Sequence, residues 1–201
     1  DISFYAAEDA DVVIELTEIF IKDLKKQKLF SYFKSIEIDL LPVLIDMQFN
    51  GIFIDKDYLE IRSKEIGKKI ESLEKEIIEL AGEEFNLNSS QQLAVILFDK
   101  LKLPMIKKRS TAEAVLSELK DKHPMPELIL SYRKLYKLKN TYLDPLPSYI
   151  IPDTKRVHSS FNQTMTATGR LSTSSPNFQN IPIRTEDGKE IRKAICLLYT
   201  S

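Results

Sequence analysis

The 201-residue sequence contains one cysteine, Cys196, and two histidines. A single cysteine excludes an internal disulfide and fits a reducing compartment. So few soft ligands argue against a structural zinc site. No apolar run approaches the ~20 residues that a membrane-spanning helix needs. The N-terminus reads DISFYAAEDADV, with neither an initiator methionine nor a basic, apolar leader. Such a start, followed at once by a structured pattern, reads as a piece of something longer. Internal repeats and low-complexity tracts are also lacking. What remains is a globular composition, 43% hydrophobic and 29% charged, sufficient for one large domain or parts of two.

The net charge of -1 hides an uneven distribution. Residues 1–87 carry 20 acidic and 11 basic side chains, whereas residues 99–142 carry 11 basic and 5 acidic. A basic second half is the footprint of a phosphate-binding face, although lysine-rich helices kept soluble have the same composition.

Apolar spacing divides the chain into helices. Val12, Val13, Leu16, Ile19 and Phe20 predict one over 3–20, which puts Tyr5 and Asp9 on one face. Residues 35–50 predict another, interrupted by Pro42 and ended by Gly51. Ile52–Ile54 is a short strand-like run, and Asp55 is placed to cap the next helix. Leu59, Ile66, Ile70, Leu73, Ile77 and Leu80 form one narrow stripe over 56–84, ending near Gly82. A stripe so narrow calls for a single partner helix. Residues 127–144 supply it, with Arg133, Lys134, Lys137 and Lys139 on the opposite face. Ser89 with Gln92, and Ser110 with Glu113, have capping-box spacing ahead of two shorter helices, over 88–101 and from 110 to about 122. Residues 148–166 predict a β-hairpin, and 185–193 a strand or short helix.

One stretch resists this reading. Phe161–Arg184, FNQTMTATGRLSTSSPNFQNIPIR, is dense in amides and hydroxyls, and its only charges are Arg170 and Arg184. It suits a backbone laid along a polar, anionic ligand, and equally a polar surface loop. Joined to a basic helical arm, it looks like a clamp for a nucleic-acid duplex. Arg170, Asn177, Gln179 and Arg184 are donors matched to the minor-groove acceptors shared by every base pair.

The run TATGRLSTSSPNFQNIPIR, followed by EDGKEIRKA, closely resembles the start of the palm in bacterial family A DNA polymerases. AGEEFNLNSSQQL resembles their thumb tip, YRKLYKLKNTYLDPLP the returning thumb helix, and YAAED the last motif of their 3′–5′ exonuclease. The resemblance implies a mostly α fold with a small β portion. Residues 1–34 would be a helical exonuclease tail. Residues 35–147 would be a linker and an elongated thumb with a long antiparallel helix pair. Residues 148–195 would be the first strands of a truncated α+β palm, and residues 196–201 depart from the pattern as a non-native tail.

It further implies a DNA-directed DNA polymerase serving replication and repair, cytoplasmic, nucleoid-associated and monomeric. Its partners would be a template–primer DNA duplex and deoxynucleoside triphosphates, and its cofactor Mg²⁺. Arg170 would bond the minor-groove edge at the primer terminus. Asn177, Gln179 and Asn180 would lie beside the duplex, and Arg184 near the incoming nucleotide. Arg133, Lys137 and Thr141 would hold phosphates from the thumb, as would Asn86, Asn88, Ser89 and Ser90 from its tip. Asp9 would bind an exonuclease metal and Tyr5 orient the attacking water, in an incomplete site. The palm and exonuclease carboxylates that would complete either active site lie outside these residues, so the chain alone is expected to be inactive. A non-catalytic duplex-binding module and an exonuclease remnant without polymerase activity remain alternatives.

Overall fold

The computed structural model describes residues 2–182 and 186–196. Helix α1 (Ile2–Lys26) is followed by a short α2 (Phe30–Tyr32), a π-helical turn over Phe33–Ile38 and α3 (Asp39–Asn50). Gly51, at φ +63°, ends α3 where a Cβ would be strained. Strand β1 (Ile52–Phe53) leads to Asp55, whose carboxylate accepts the Tyr58 N–H at 2.9 Å and caps α4 (Lys56–Ala81). Gly82, at φ +69°, closes α4 by donating to the Ile78 and Glu79 carbonyls.

The next helices are shorter and less regular than their spacing predicts. Ser89 caps α5 (Ser90–Ala94), which continues as a π-helical turn over Val95–Lys100. Only half of its capping box forms, because the Gln92 side chain accepts from the Asn86 N–H at 2.7 Å. The box predicted at Ser110 does not form. Ser110 Oγ accepts from the Ala112 N–H at 3.2 Å, and α6 (Glu113–Leu119) starts uncapped and stops before Lys122. Helix α7 (Met125–Leu138) begins earlier than predicted, because His123 Nδ1 accepts the Met125 N–H at 3.1 Å. It gives way to a π-helical turn over Lys139–Leu143 and a 3₁₀ turn over Leu146–Tyr149.

Strands β2 (Ile150–Ile151) and β3 (Arg156–Val157) form the predicted hairpin, with Ile150 opposite Val157. β1 pairs antiparallel with the other edge of β3, giving the order β1-β3-β2. A second pair, β4 (Ser160–Asn162) with β5 (Ser172–Ser174), sets Phe161 opposite Thr173. A 3₁₀ turn over Phe178–Asn180 and helix α8 (Glu186–Cys196) follow. Residues 185–193 thus prove helical from Glu186. The predominantly helical fold class with a small β portion is observed.

The chain forms two compact units: residues up to 51 with 158–177, and residues 52–157 with those from 178 onward. In the larger unit, Leu59, Ile66, Ile70 and Ile77 of α4 are buried with Ile129, Tyr132 and Leu138 of α7. Each such aliphatic side chain contributes roughly 1.5–3 kcal/mol on burial. The helices run antiparallel. Ser63, early in α4, bonds Lys139 and Asp144, whereas Glu74, eleven residues on, bonds Tyr132. The single narrow stripe has found its one partner.

The smaller unit has little interior. Leu44, Ser159 and Thr173 are its buried side chains among the described residues. Gln48 joins α3 to β4, its side chain accepting from the Phe161 N–H and its carbonyl from His158 Nδ1, each at 2.8 Å. Gln163 Nε2 donates to the Glu37 carboxylate at 2.7 Å. The apolar spacing of α1 does produce a helix, but Val13, Ile14, Ile19 and Phe20 remain exposed.

Candidate nucleic-acid interface

Helix α7 has an acidic residue, Glu127, in its first turn and a basic one, Lys137, in its last, matching the helix dipole at both ends. Its apolar face is fixed against α4, so its other face is committed to the surface. There Lys134 and Lys137, one turn apart, are exposed, and neither has an ion-pair partner among the described residues. They line a cleft of about 520 Å³ with Lys120, Ser131, Arg133, Tyr142, Asn180 and Pro182. Four cations face two carboxylates here, Glu113 and Glu127, and Glu127 is already paired with Lys120 at 3.8 Å. The cleft is therefore basic, with an amide and hydroxyls available as donors.

Arg133 has a second task. Half-buried, it donates to the Thr111 carbonyl at 2.5 Å and to Thr111 Oγ1 at 3.3 Å. Burial pulls its pKa below the ordinary arginine value, yet a guanidinium there stays charged. It lines this cleft and also a neighbouring one of about 700 Å³, bounded by Ser90, Gln91, Arg109, Ser110 and Thr111. Arg109 is held by a double hydrogen bond to Asp99 at 2.6 Å, which lowers the Asp99 pKa.

The tip residues divide by role. Asn86 accepts from the Asn88 N–H at 2.9 Å, Ser89 is the cap of α5, and Asn88 donates to Tyr132 Oη at 3.3 Å. Tyr132 in turn donates to Glu74 at 3.1 Å. Burial, reinforced by that carboxylate, pushes the phenol pKa up to about 12. Of the predicted tip set, Ser90 lines the second of these clefts. Thr141 is exposed on the turn after α7 but lies outside both clefts.

The polar stretch contributes to both units. In the smaller, Arg170 is exposed, in a loop closed by Thr166 Oγ1 donating to the Arg170 carbonyl at 2.5 Å, and Gly169 turns the chain at φ +70°. Asn177 accepts from Thr173 Oγ1 at 3.3 Å. In the larger, Gln179 and Asn180 are exposed on the 3₁₀ turn, and Tyr142 Oη donates to the Asn180 carbonyl. The structure thus brings Arg133, Lys137 and Asn180 to one cleft. Arg184 lies outside the described residues.

Tyr5 and Asp9 are exposed one turn apart on α1. Among the described residues, no group of three or more His, Cys, Asp or Glu side chains is placed to hold a metal ion. No helix among them is long and apolar enough to cross a membrane.

Nothing in the sequence marks Lys120, Ser131 and Tyr142 as cleft residues, and Lys134 is there one member of a basic face among several. For Lys134 the signal was present, three residues before Lys137 on one helix face. Lys120 comes from beyond the end of α6 and is delivered only by packing of α6 on α7.

Residues 56–197 match the model of DNA polymerase family A. DNA polymerase I of Pseudomonas aeruginosa is 48% identical over 197 residues, covering 94% of this chain and 22% of that protein. DNA polymerase I of Bacillus subtilis is 41% identical over 197 residues, covering 96% and 22% respectively. The POL domain of Pol1 from M. smegmatis, solved in complex with DNA primer-template and dNTP, superposes with a TM-score of 0.87 at 35% identity. It covers 92% of this chain and 34% of that one. The chain therefore spans under a quarter of the length of the curated relatives named. With a family match across most of its length and such identities, the chain belongs to DNA polymerase family A.

Proposed function

We propose that the α7 cleft holds backbone phosphates of a template–primer DNA duplex, in a protein that is as a whole a DNA-directed DNA polymerase. The observation that carries this is Lys134 and Lys137, exposed and without an ion-pair partner among the described residues, beside Asn180 in one basic cleft. Point charges on flexible stems suit phosphates and carry no sequence information, as an enzyme that copies any template requires. The family and the DNA-bound neighbour support the same ligand.

Within this reading, Arg133 is a phosphate contact and a structural tie at once. Arg170, Asn177 and Gln179 present donors to the minor groove, and Arg184 serves the nucleotide end. Thr141, Asn86, Asn88, Ser89 and Ser90 are neighbours of the duplex backbone. Residues up to 34 belong to an exonuclease tail with Tyr5 and Asp9 as its remnants, 35–147 to the thumb and 148–195 to the palm. The whole protein takes Mg²⁺, with Asp9 one ligand of an exonuclease site that these residues leave incomplete, uses deoxynucleoside triphosphates, and acts as a monomer at the bacterial nucleoid.

This 201-residue chain alone binds duplex without extending it. Fluorescence anisotropy with a labelled primer–template should show binding that Lys137→Ala weakens for every sequence alike, with no primer extension in Mg²⁺ and nucleotides. Absence of duplex binding by the unaltered chain would overturn the cleft assignment, and extension would overturn the inactivity.

A further inference from the structure

Gly188, in the first turn of α8, has no room for a side chain. A Cβ there would fall on the Pro182 carbonyl oxygen, 2.8 Å from the Pro182 Cβ and 2.9 Å from its carbonyl carbon. Two of those atoms are backbone and cannot turn aside. The glycine's backbone needs no left-handed conformation, because its φ is not positive. Its requirement is close approach alone.

Pro182 in turn lines the basic cleft beside Asn180. The segment from 180 to 182 is held from two directions. On one side Tyr142, buried to 5% exposure, donates its hydroxyl to the Asn180 carbonyl. On the other, Gly188 lets α8 seat directly against Pro182. Helix α8 is itself anchored to the base of α4. The Asp55 N–H donates to the Ala194 carbonyl at 2.9 Å, and Tyr58 Oη donates to Glu190 at 2.5 Å. Ile181, between the two clamped residues, is 3% exposed and belongs to the same core as Ile191 and Ala194 of α8.

We propose that Gly188 is a positioning residue for the cleft: by admitting α8 against Pro182, it sets where the Asn180 amide meets the ligand. The inference rests on the duplex-binding reading for its ligand and on geometry for its mechanism. A methyl group at 188 pushes Pro182, a lining residue of the cleft, away from α8. Because Tyr142 holds the Asn180 carbonyl, the displacement rotates the peptide between the clamps and redirects the amide. Lys134 and Lys137, on α7, keep their places.

The test is a double-mutant cycle on the full 201-residue chain with a labelled duplex, alongside ¹⁵N spectra of the free protein. Gly188→Ala and Asn180→Ala should each lower duplex affinity about five- to tenfold, the worth of one hydrogen bond. The double variant should lose no more than either single one, because both remove the same contact. The salt dependence should stay at the wild-type slope. In the free protein, Gly188→Ala should shift the Asn180 side-chain amide signals and leave the Lys134 and Lys137 backbone amides in place. Tyr142→Phe, which releases the other clamp without adding volume, should move the same Asn180 signals and covers the case in which Gly188→Ala does not fold. Additive losses, or Asn180 signals unmoved in both variants, would overturn the positioning role. Spectral shifts in a chain that binds no duplex would uphold the positioning and sink the function proposed for the cleft instead.

Discussion

Tyr132→Phe removes one oxygen from the interior of the α4–α7 pair. The ring is 1% exposed and stacks on Tyr136 with centroids 5.5 Å apart, so the substitution leaves packing intact and isolates the hydroxyl. That hydroxyl donates to Glu74 at 3.1 Å and accepts from Asn88 at 3.3 Å. A hydrogen bond to a charged partner is worth about 1.5–3 kcal/mol when lost. Glu74 is only partly buried and can turn to water, which places the cost near the lower end, about 1.5 kcal/mol. For a chain of this size that is a fall in Tm of about 3–6 °C.

The penalty depends on pH. The folded-state phenol pKa is raised to about 12, above an unfolded value of about 10. Neutral Tyr132 therefore contributes fully below pH ~10, and the contribution is lost as pH rises through about 12. Urea titrations followed by circular dichroism, repeated from neutral to alkaline pH, measure both quantities. A phenylalanine variant as stable as the wild type at pH 7, or a penalty that grows with pH, would refute the network.

Two other substitutions probe the same arm. Gly82→Ala forces a Cβ into the left-handed region at φ +69° and should cost about 1–2 kcal/mol in chemical denaturation, with affinity for DNA unchanged. Asp144→Asn breaks the contacts that Lys139 and Ser63 make with that carboxylate at 2.6–2.8 Å. Burial raises the Asp144 pKa, but hydrogen bonds from Lys139 and Ser63 outweigh it and leave the pKa lowered. The stabilisation is thus present above the unfolded value near ~3.9 and lost as pH falls through the folded one. The asparagine variant should be about 1 kcal/mol less stable at pH 7, and level with wild type in acid.

Where periodicity and stop signals agreed, the sequence was readable. The α4 stripe, its Asp55 cap and its Gly82 terminus are local features, each decided by residues within a turn or two. The pairing of β1 with β3 was not readable, because two-residue strands have no period and their partners lie a hundred residues apart. Ser110 shows how local signals compete. Its hydroxyl accepts from the Ala112 N–H, and α6 starts without a side-chain cap, so the spacing was right and the cap absent. Residues 139–143 kept helical spacing but widened to a π turn, where Tyr142 reaches Asn180. The site was legible mainly through its resemblance to family A. Charge counting found the basic face of α7, but only packing placed Lys120 and Asn180 across from it. No rule of composition could have told that Arg133 spends donors on its own fold, whereas the capping role of Ser89 was legible from its spacing to Gln92.

In the proposed function, Lys134 and Lys137 of the α7 cleft neutralise duplex phosphates. Each phosphate contact adds about 0.9 to the slope of log affinity against log salt. The direct measurement is duplex affinity between low and moderate salt for the wild type and for the Lys134→Ala/Lys137→Ala double variant. The slope should fall by about 1.8 in the double variant, equally for unrelated duplex sequences, with the fold unchanged by circular dichroism. An unchanged slope would contradict the assignment of this cleft to DNA.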